Sequence, residues 1–165
     1  MAIQPAYAQA ILDGRKLVEF RKRRLAKDID TVLIYESAPT QRIVGNFTIE
    51  RTELATPWAL WKSFGSVGCI ARSDYLNYYG NSERAVGLVI SHAERYRQPV
   101  ALAELSVRPA VPQSFLYLPA SALSEAESFQ VVEPGWIDRL LGIVGQPSSV
   151  AELARRGASA VALLR

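Results

Sequence analysis

The segment Gly14-Arg15-Lys16-Leu17-Val18-Glu19-Phe20-Arg21 places the tightest constraint on the fold of this chain. Val18 and Phe20 alternate as the apolar face of a strand, while Glu19 and Arg21 alternate onto the opposite face, with Lys16 just ahead of them. Ionisable groups drawn toward a core are costly unless they pair with one another or meet a ligand. The fold therefore has to set this strand at the edge of its core, with its charges facing one another or a cleft. The segment runs straight on into Lys22, Arg23, Arg24 and Lys27. Residues 15–27 thus hold seven basic residues and one acid, a local charge of +6 in a chain whose total is +3. The remainder is slightly acidic, and the positive field is concentrated in one place.

At 165 residues, one domain, or one domain with a tail, is expected. The chain is 49% apolar and 21% charged, inside the globular range, which argues against global disorder. No apolar run approaches the roughly 18–20 residues that span a bilayer, so no membrane association is expected. Met1 to Ala10 lacks the basic start and continuous apolar stretch of a secretory signal. A single cysteine, Cys69, forms no internal disulfide and fits a reducing cytoplasm. The sole histidine, His92, has no Cys/His/Asp cluster around it, so neither a metal nor another cofactor is expected. No glycine-rich phosphate loop or nucleophile elbow is present.

The pattern predicts a helix over Tyr7–Leu12 stopped by Gly14, then strands at Leu17–Phe20, Thr31–Ser37 and Ile43–Glu50. Gly45 marks a bulge or a close backbone approach. Thr56-Pro57 starts a helix carrying Trp58, Leu60, Trp61 and Phe64, and Ser73–Gly80 reads as a second short one. Arg84–His92 is a central strand, Val100–Val107 a further one, and Ser114–Leu118 closes the sheet. After Pro119 the composition turns to alanine, serine and glutamate, with helices expected at Gly135–Ile143 and Ser148–Leu164. Helical spacing puts most of Trp58, Trp61, Phe64, Tyr75, Tyr78 and Tyr79 in the core, leaving Tyr78 or Tyr79 as the exposed exception.

Gly14-x-Lys16-x-x-Glu19-x-Arg21 resembles the signature of the ASCH domain family, a relative of the PUA fold. Ile34-Tyr35-Glu36-Ser37-Ala38-Pro39, Ile43-Val44-Gly45, Leu60-Trp61, Tyr75–Gly80 and Pro112-Gln113-Ser114-Phe115-x-Tyr117-Leu118 agree in order with the family's longer branch, labelled transcriptional regulators. The resemblance covers roughly Ile3 to Leu118. It implies an α+β, PUA-like small mixed β-barrel of about five or six strands, with flanking helices and a helical C-terminal extension. The expected division is a domain over 1–118 and an extension over 119–165 packed on it.

The resemblance also implies nucleic-acid binding, with single-stranded RNA the expected partner and transcription or translation control the context. Lys16 and Arg21 can neutralise a phosphate, Arg21 as a planar fork and Lys16 as a point charge. Glu19 pairs easily with Arg21. Lys22, Arg23 and Arg24 form a candidate footprint for the phosphate backbone, and the hydroxyls of Tyr35 and Ser37 can orient a base or a phosphate. The plainer reading keeps Glu19–Arg21 as a structural pair, the 22–27 loop as solvated charge, and Tyr35 as core. A binding module is favoured over an enzyme. The alternatives are a ribonuclease-like activity or an N4-acetylcytidine amidohydrolase-like one, with Lys16 and Glu19 as its catalytic candidates. Against the latter, Glu19 stands where that branch has a threonine, and neither Glu53, Glu83 nor Glu94 is assignable as its downstream carboxylate. A monomer or weak homodimer is expected.

Overall fold

The computed structural model describes residues 1–130 and the strand Val161–Leu164. In chain order it contains β1 (Ala2–Ile3), α1 (Pro5–Leu12), β2 (Val18–Arg21), β3 (Thr31–Glu36), β4 (Arg42–Ala55), α2 (Pro57–Phe64), α3 (Arg72–Tyr79), β5 (Ala85–Val100), β6 (Phe115–Leu118), α4 (Ser121–Ser128) and β7 (Val161–Leu164). The strands form one mixed sheet in the order β2-β5-β4-β3-β7-β6, and β1 runs parallel to the end of β3 beyond β7. No ladder joins β2 to β6, so the sheet is not a barrel closed by hydrogen bonds. Side chains tie its two ends together: Arg21 donates to Ser114 just before β6, and the Ala26 N–H donates to the Tyr117 hydroxyl. No helix among the described residues is long and apolar enough to cross a membrane.

Each element follows from local chemistry. Pro5 starts α1, and Gly14 ends it at φ +70°, where the Gly14 and Arg15 N–H groups return to the Ile11 and Ala10 carbonyls. This left-handed glycine stop reverses the chain and delivers Lys16 to β2. Thr56 caps α2 by accepting from the Ala59 N–H at 3.2 Å, with Pro57 at the first helical position.

The ladder between β4 and β5 is the longest in the sheet. Residues 85–90 are buried throughout, because β2 and β4 flank this half of β5 on either side. The other half pairs with β4 alone and exposes Glu94, Arg95 and Arg97. That charged stretch hides a continuous strand from a hydropathy reading. β5 therefore runs on to Val100, and the strand expected over Val100–Val107 is instead a 3-10 turn at Leu102–Glu104. The carboxylate of Glu104 accepts from the Ala101 N–H and caps that turn.

Gly45 sits where the β3–β4 and β4–β5 registers both shift. A Cβ there would lie 2.2 Å from the Glu94 carbonyl oxygen and 2.7 Å from a Leu12 methyl, so both readings of this glycine apply. Beyond residue 118, α4 buries Ala122 and Ala126 in a cluster with Leu33, Tyr35, Ile43 and Tyr96. Val161–Leu164 is a strand between β3 and β6 and not the end of a helix, because its Val-Ala-Leu-Leu run completes two ladders. The helices expected at 135–143 and over 148–160 lie outside the described residues.

Helices α2 and α3 pack an aromatic cluster on β2. Tyr75 stands 4.8 Å from each of the Phe20, Trp61 and Tyr79 ring centroids. Tyr75 donates to the Pro57 carbonyl at 2.8 Å and Tyr79 to the Arg21 carbonyl at 3.0 Å, so both phenols are satisfied as donors. Burial pushes the Tyr75 phenol up to about 12, and it also raises Tyr79 and Tyr96 well above the ordinary value.

Two stability predictions follow from these packings. Gly45→Ala forces the Glu94 backbone aside and is expected to cost about 1–3 kcal/mol in urea unfolding; an unchanged midpoint would contradict the close approach. In the unfolded chain the three tyrosines ionise near pH 10, while the folded chain holds their protons. Stability is therefore fully present below about pH 10 and is lost as pH rises toward 12 and beyond. A urea midpoint that stays constant through this window would refute the linkage.

Candidate functional site

Lys16 is carried out of the α1 stop and turned inward. It is only 3% exposed, and its ammonium lies 5.2 Å and 5.3 Å from the Tyr7 and Phe20 ring centroids. It donates to the Gly68 carbonyl at 2.5 Å. Gly68 is required there, because a Cβ would meet the Phe20 ring at 2.3 Å. Glu19, 7% exposed, sits between two cations, with Lys16 Nζ at 3.4 Å from Oε2 and Arg21 Nη1 at 3.6 Å from Oε1. The other arm of the Arg21 guanidinium donates to Ser114 Oγ at 2.7 Å.

These three side chains line a cleft of about 400 Å³ together with Gln4, Tyr7, Ser37 and Tyr78. Among the described residues no further carboxylate lines it, so its lining side chains carry two cations against one anion, with the Asp74 carboxylate near enough to act on Tyr7. Tyr7 and Tyr78 border the cleft as neutral phenols, both raised chiefly by burial; the Asp74 and then the Glu19 carboxylate add to the rise at Tyr7, while at Tyr78 Arg21 opposes it and Glu19 adds to it. The arrangement is suited to an anion flanked by hydroxyl donors.

The residues anticipated from sequence divide into three groups. Lys16, Glu19, Arg21 and Ser37 meet at the cleft. Lys22, Arg23 and Arg24 are exposed, and Lys22 and Arg24 line a separate groove. Tyr35 does not reach the cleft, because its ring is buried in the cluster under α4. None of Glu53, Glu83 and Glu94 lines the cleft. Tyr7, Gly68 and Ser114 were not anticipated. Tyr7 carried a signal, since an aromatic one helical turn before Ile11 can reach back over the chain reversal at Gly14. The other two join across 52 and 93 residues, and short-range spacing carries no trace of them. His92 is exposed, Cys69 is half-buried with φ +49°, and no cluster able to hold a metal ion occurs among the described residues.

The mixed open sheet, with helices packed against it and a charged cleft beside β2, is the α+β architecture expected of an ASCH domain, whose fold is PUA-like. The chain belongs to the ASCH domain family, whose family model matches residues 1–98. Over 119 residues it is 30% identical to the large ribosomal subunit protein uL22 of Ureaplasma parvum serovar 3, a match covering 72% of this chain and 38% of that one. The chain thus spans under two fifths of the length of those relatives. It is 26% identical over 125 residues to an ASCH domain-containing ribonuclease of Zymomonas mobilis, covering 72% of this chain and 82% of that protein. The crystal structure of ASCH from Zymomonas mobilis superposes with a TM-score of 0.73 at 24% identity, covering 79% of this chain and 94% of that one. A tyrosine-to-phenylalanine variant of the Zymomonas protein gives the same TM-score, 0.73, at 22% identity. At these identities the structures share the fold.

The triad generates its own test. Glu19→Gln keeps the shape but leaves two cations facing each other, and is expected to destabilise the chain by about 2–4 kcal/mol. Sulfate or phosphate should recover part of that loss, relative to chloride at equal ionic strength, by occupying the cleft. A variant as stable as the wild type, or one blind to the anion, would show that the pairing does not hold the site.

Proposed function

We propose that this chain binds RNA, seating a backbone phosphate against Lys16 and Arg21 in the cleft, with Lys22, Arg23 and Arg24 as outlying phosphate contacts. The observation that carries this reading is the excess of positive charge: one buried and one half-buried cation share one carboxylate on the wall of an open cleft. A structural ion pair needs only one cation for its carboxylate, and a phosphodiester supplies the missing charge. The ribonuclease so named in Zymomonas mobilis supports RNA as the class of partner. Transcription or translation control is the setting proposed.

A second reading, RNA cleavage in the same cleft, is favoured by that ribonuclease name alone. Glu19 is held between two cations at 3.4 and 3.6 Å, and among the described residues no histidine or second carboxylate lines the cleft to share proton transfer with it. Binding therefore stands first.

Anisotropy with labelled single-stranded RNA across a salt series tests both readings. Three or four phosphate contacts lower affinity about 20- to 50-fold between 50 and 200 mM salt. Arg21→Ala leaves Lys16 and Glu19 as a neutral pair and is expected to weaken binding about tenfold or more. Affinity indifferent to salt or to this substitution overturns the cleft as the site. The same RNA run on a denaturing gel separates binding from cleavage.

A further inference from the structure

Tyr78 borders the cleft and also meets Lys22, whose ammonium rests 5.2 Å from its ring centroid. Lys22 in turn lines a second groove of about 830 Å³, with Arg24, Arg84, Glu83, Leu54 and Thr56. Three cations against one carboxylate give this groove a positive balance. Among the described residues, Lys22, Arg24 and Arg84 make no ion pair, in contrast to Arg15, Arg42, Arg51 and Arg95. Tyr78 is 37% exposed, yet it is fixed from beneath by Tyr79 in an edge-to-face contact at 4.9 Å. Tyr79 is itself anchored through its hydroxyl to the Arg21 carbonyl. A half-exposed aromatic ring, packed on Tyr79, thus lines one positively charged hollow and touches Lys22, which lines the other.

We infer that the two hollows are successive subsites for one single-stranded RNA, with an unpaired base stacked on Tyr78 between a phosphate in the cleft and phosphates in the Lys22–Arg24–Arg84 groove. This inference rests on the RNA-binding reading above and adds the strand form, the path and the stacking residue. Every base has a π-face, so an aromatic ring flanked by cations takes unpaired bases with little regard to sequence. A duplex, whose bases are already stacked on one another, cannot use the ring. Lys22 lies on the ring by a weak exposed contact, and its flexible stem allows the ammonium to move to a phosphate when a base arrives.

The test compares labelled single-stranded RNA with an RNA duplex, on the full chain, for the wild type, Tyr78→Ala, Tyr78→Phe and the double variant Lys22→Ala/Arg84→Ala. Losing one stacked base weakens single-strand binding roughly 5- to 150-fold in Tyr78→Ala, while Tyr78→Phe keeps it and duplex binding is unchanged. Losing two phosphate contacts lowers the slope of log affinity against log salt by about 1.4 in the double variant. If the wild type binds RNA but Tyr78→Ala does not weaken it, or Tyr78→Phe loses as much as alanine, or the salt slope of the double variant is unchanged, the inference falls and the RNA reading stands. If the wild type binds no RNA, both fall.

Discussion

The burial of the Lys16 ammonium is the contact on which the rest of this site depends. A cation at 3% exposure has surrendered most of its hydration, and the protein replaces water with one carbonyl, one carboxylate and two ring faces. Each replacement comes from a different part of the chain. The Gly14 turn aims the side chain, Gly68 approaches closely because it has no Cβ, Tyr7 arrives on α1, and Phe20 lies on β2 beside Glu19. The α1 stop, the loop after α2 and the first full strand are thereby fixed to one another by a single charge. Phe20 is held in turn by Tyr75, so α3 is tied into the same assembly.

Arg21 distinguishes this cluster from an ordinary buried ion pair. Lys16 and Glu19 alone would be neutral, and apolar residues of similar volume would pack there at no loss of stability. The guanidinium adds a second positive charge on the cleft side and reaches across the gap between the two ends of the sheet to Ser114. It therefore does two things at once, bridging an open sheet and charging its cleft. The long β4–β5 ribbon makes this geometry available. It leaves β2 paired on one side only, so the signature strand stands at the edge of the sheet, where a charged face can look onto a cleft.

Much of this was legible in the sequence because it is local. Period-two alternation put Glu19 and Arg21 on one face, Gly14 marked the turn ahead of them, and Thr56-Pro57 marked the start of α2. Gly45 announced a tight backbone contact, though not the partners that cause it. The failures have a common physical cause, since each was decided by a distant part of the chain. The charged run Glu94–Arg97 looked like the end of a strand, yet β4 extends alongside and keeps β5 extended. Val161–Leu164 read as the end of a helix, and it becomes a strand because β3 and β6 offer it two free edges. Tyr35 looked like part of a hydroxyl pair with Ser37. Residues two apart do share a strand face, but β3 ends at Glu36, so Ser37 turns away to the cleft while Tyr35 stays in the core.

The positive charge of this protein is divided into two populations with different physics. Lys16 is buried and Arg21 half-buried, where Coulomb forces are less screened than in solvent, and partners hold both side chains before any ligand arrives. Lys22, Arg23 and Arg24 stand in solvent, screened over roughly 8–10 Å at physiological salt, and their side chains are free to reorient. The exposed group is suited to attracting a polyanion and raising its arrival rate, whereas the buried pair is suited to holding one phosphate in a defined register. Tyr78 touches both populations, lining the cleft and carrying the Lys22 ammonium on its ring. A strand that followed the charge from the exposed group to the buried one would have to cross that ring. On the proposed reading, stacking and phosphate recognition sit side by side on this fold.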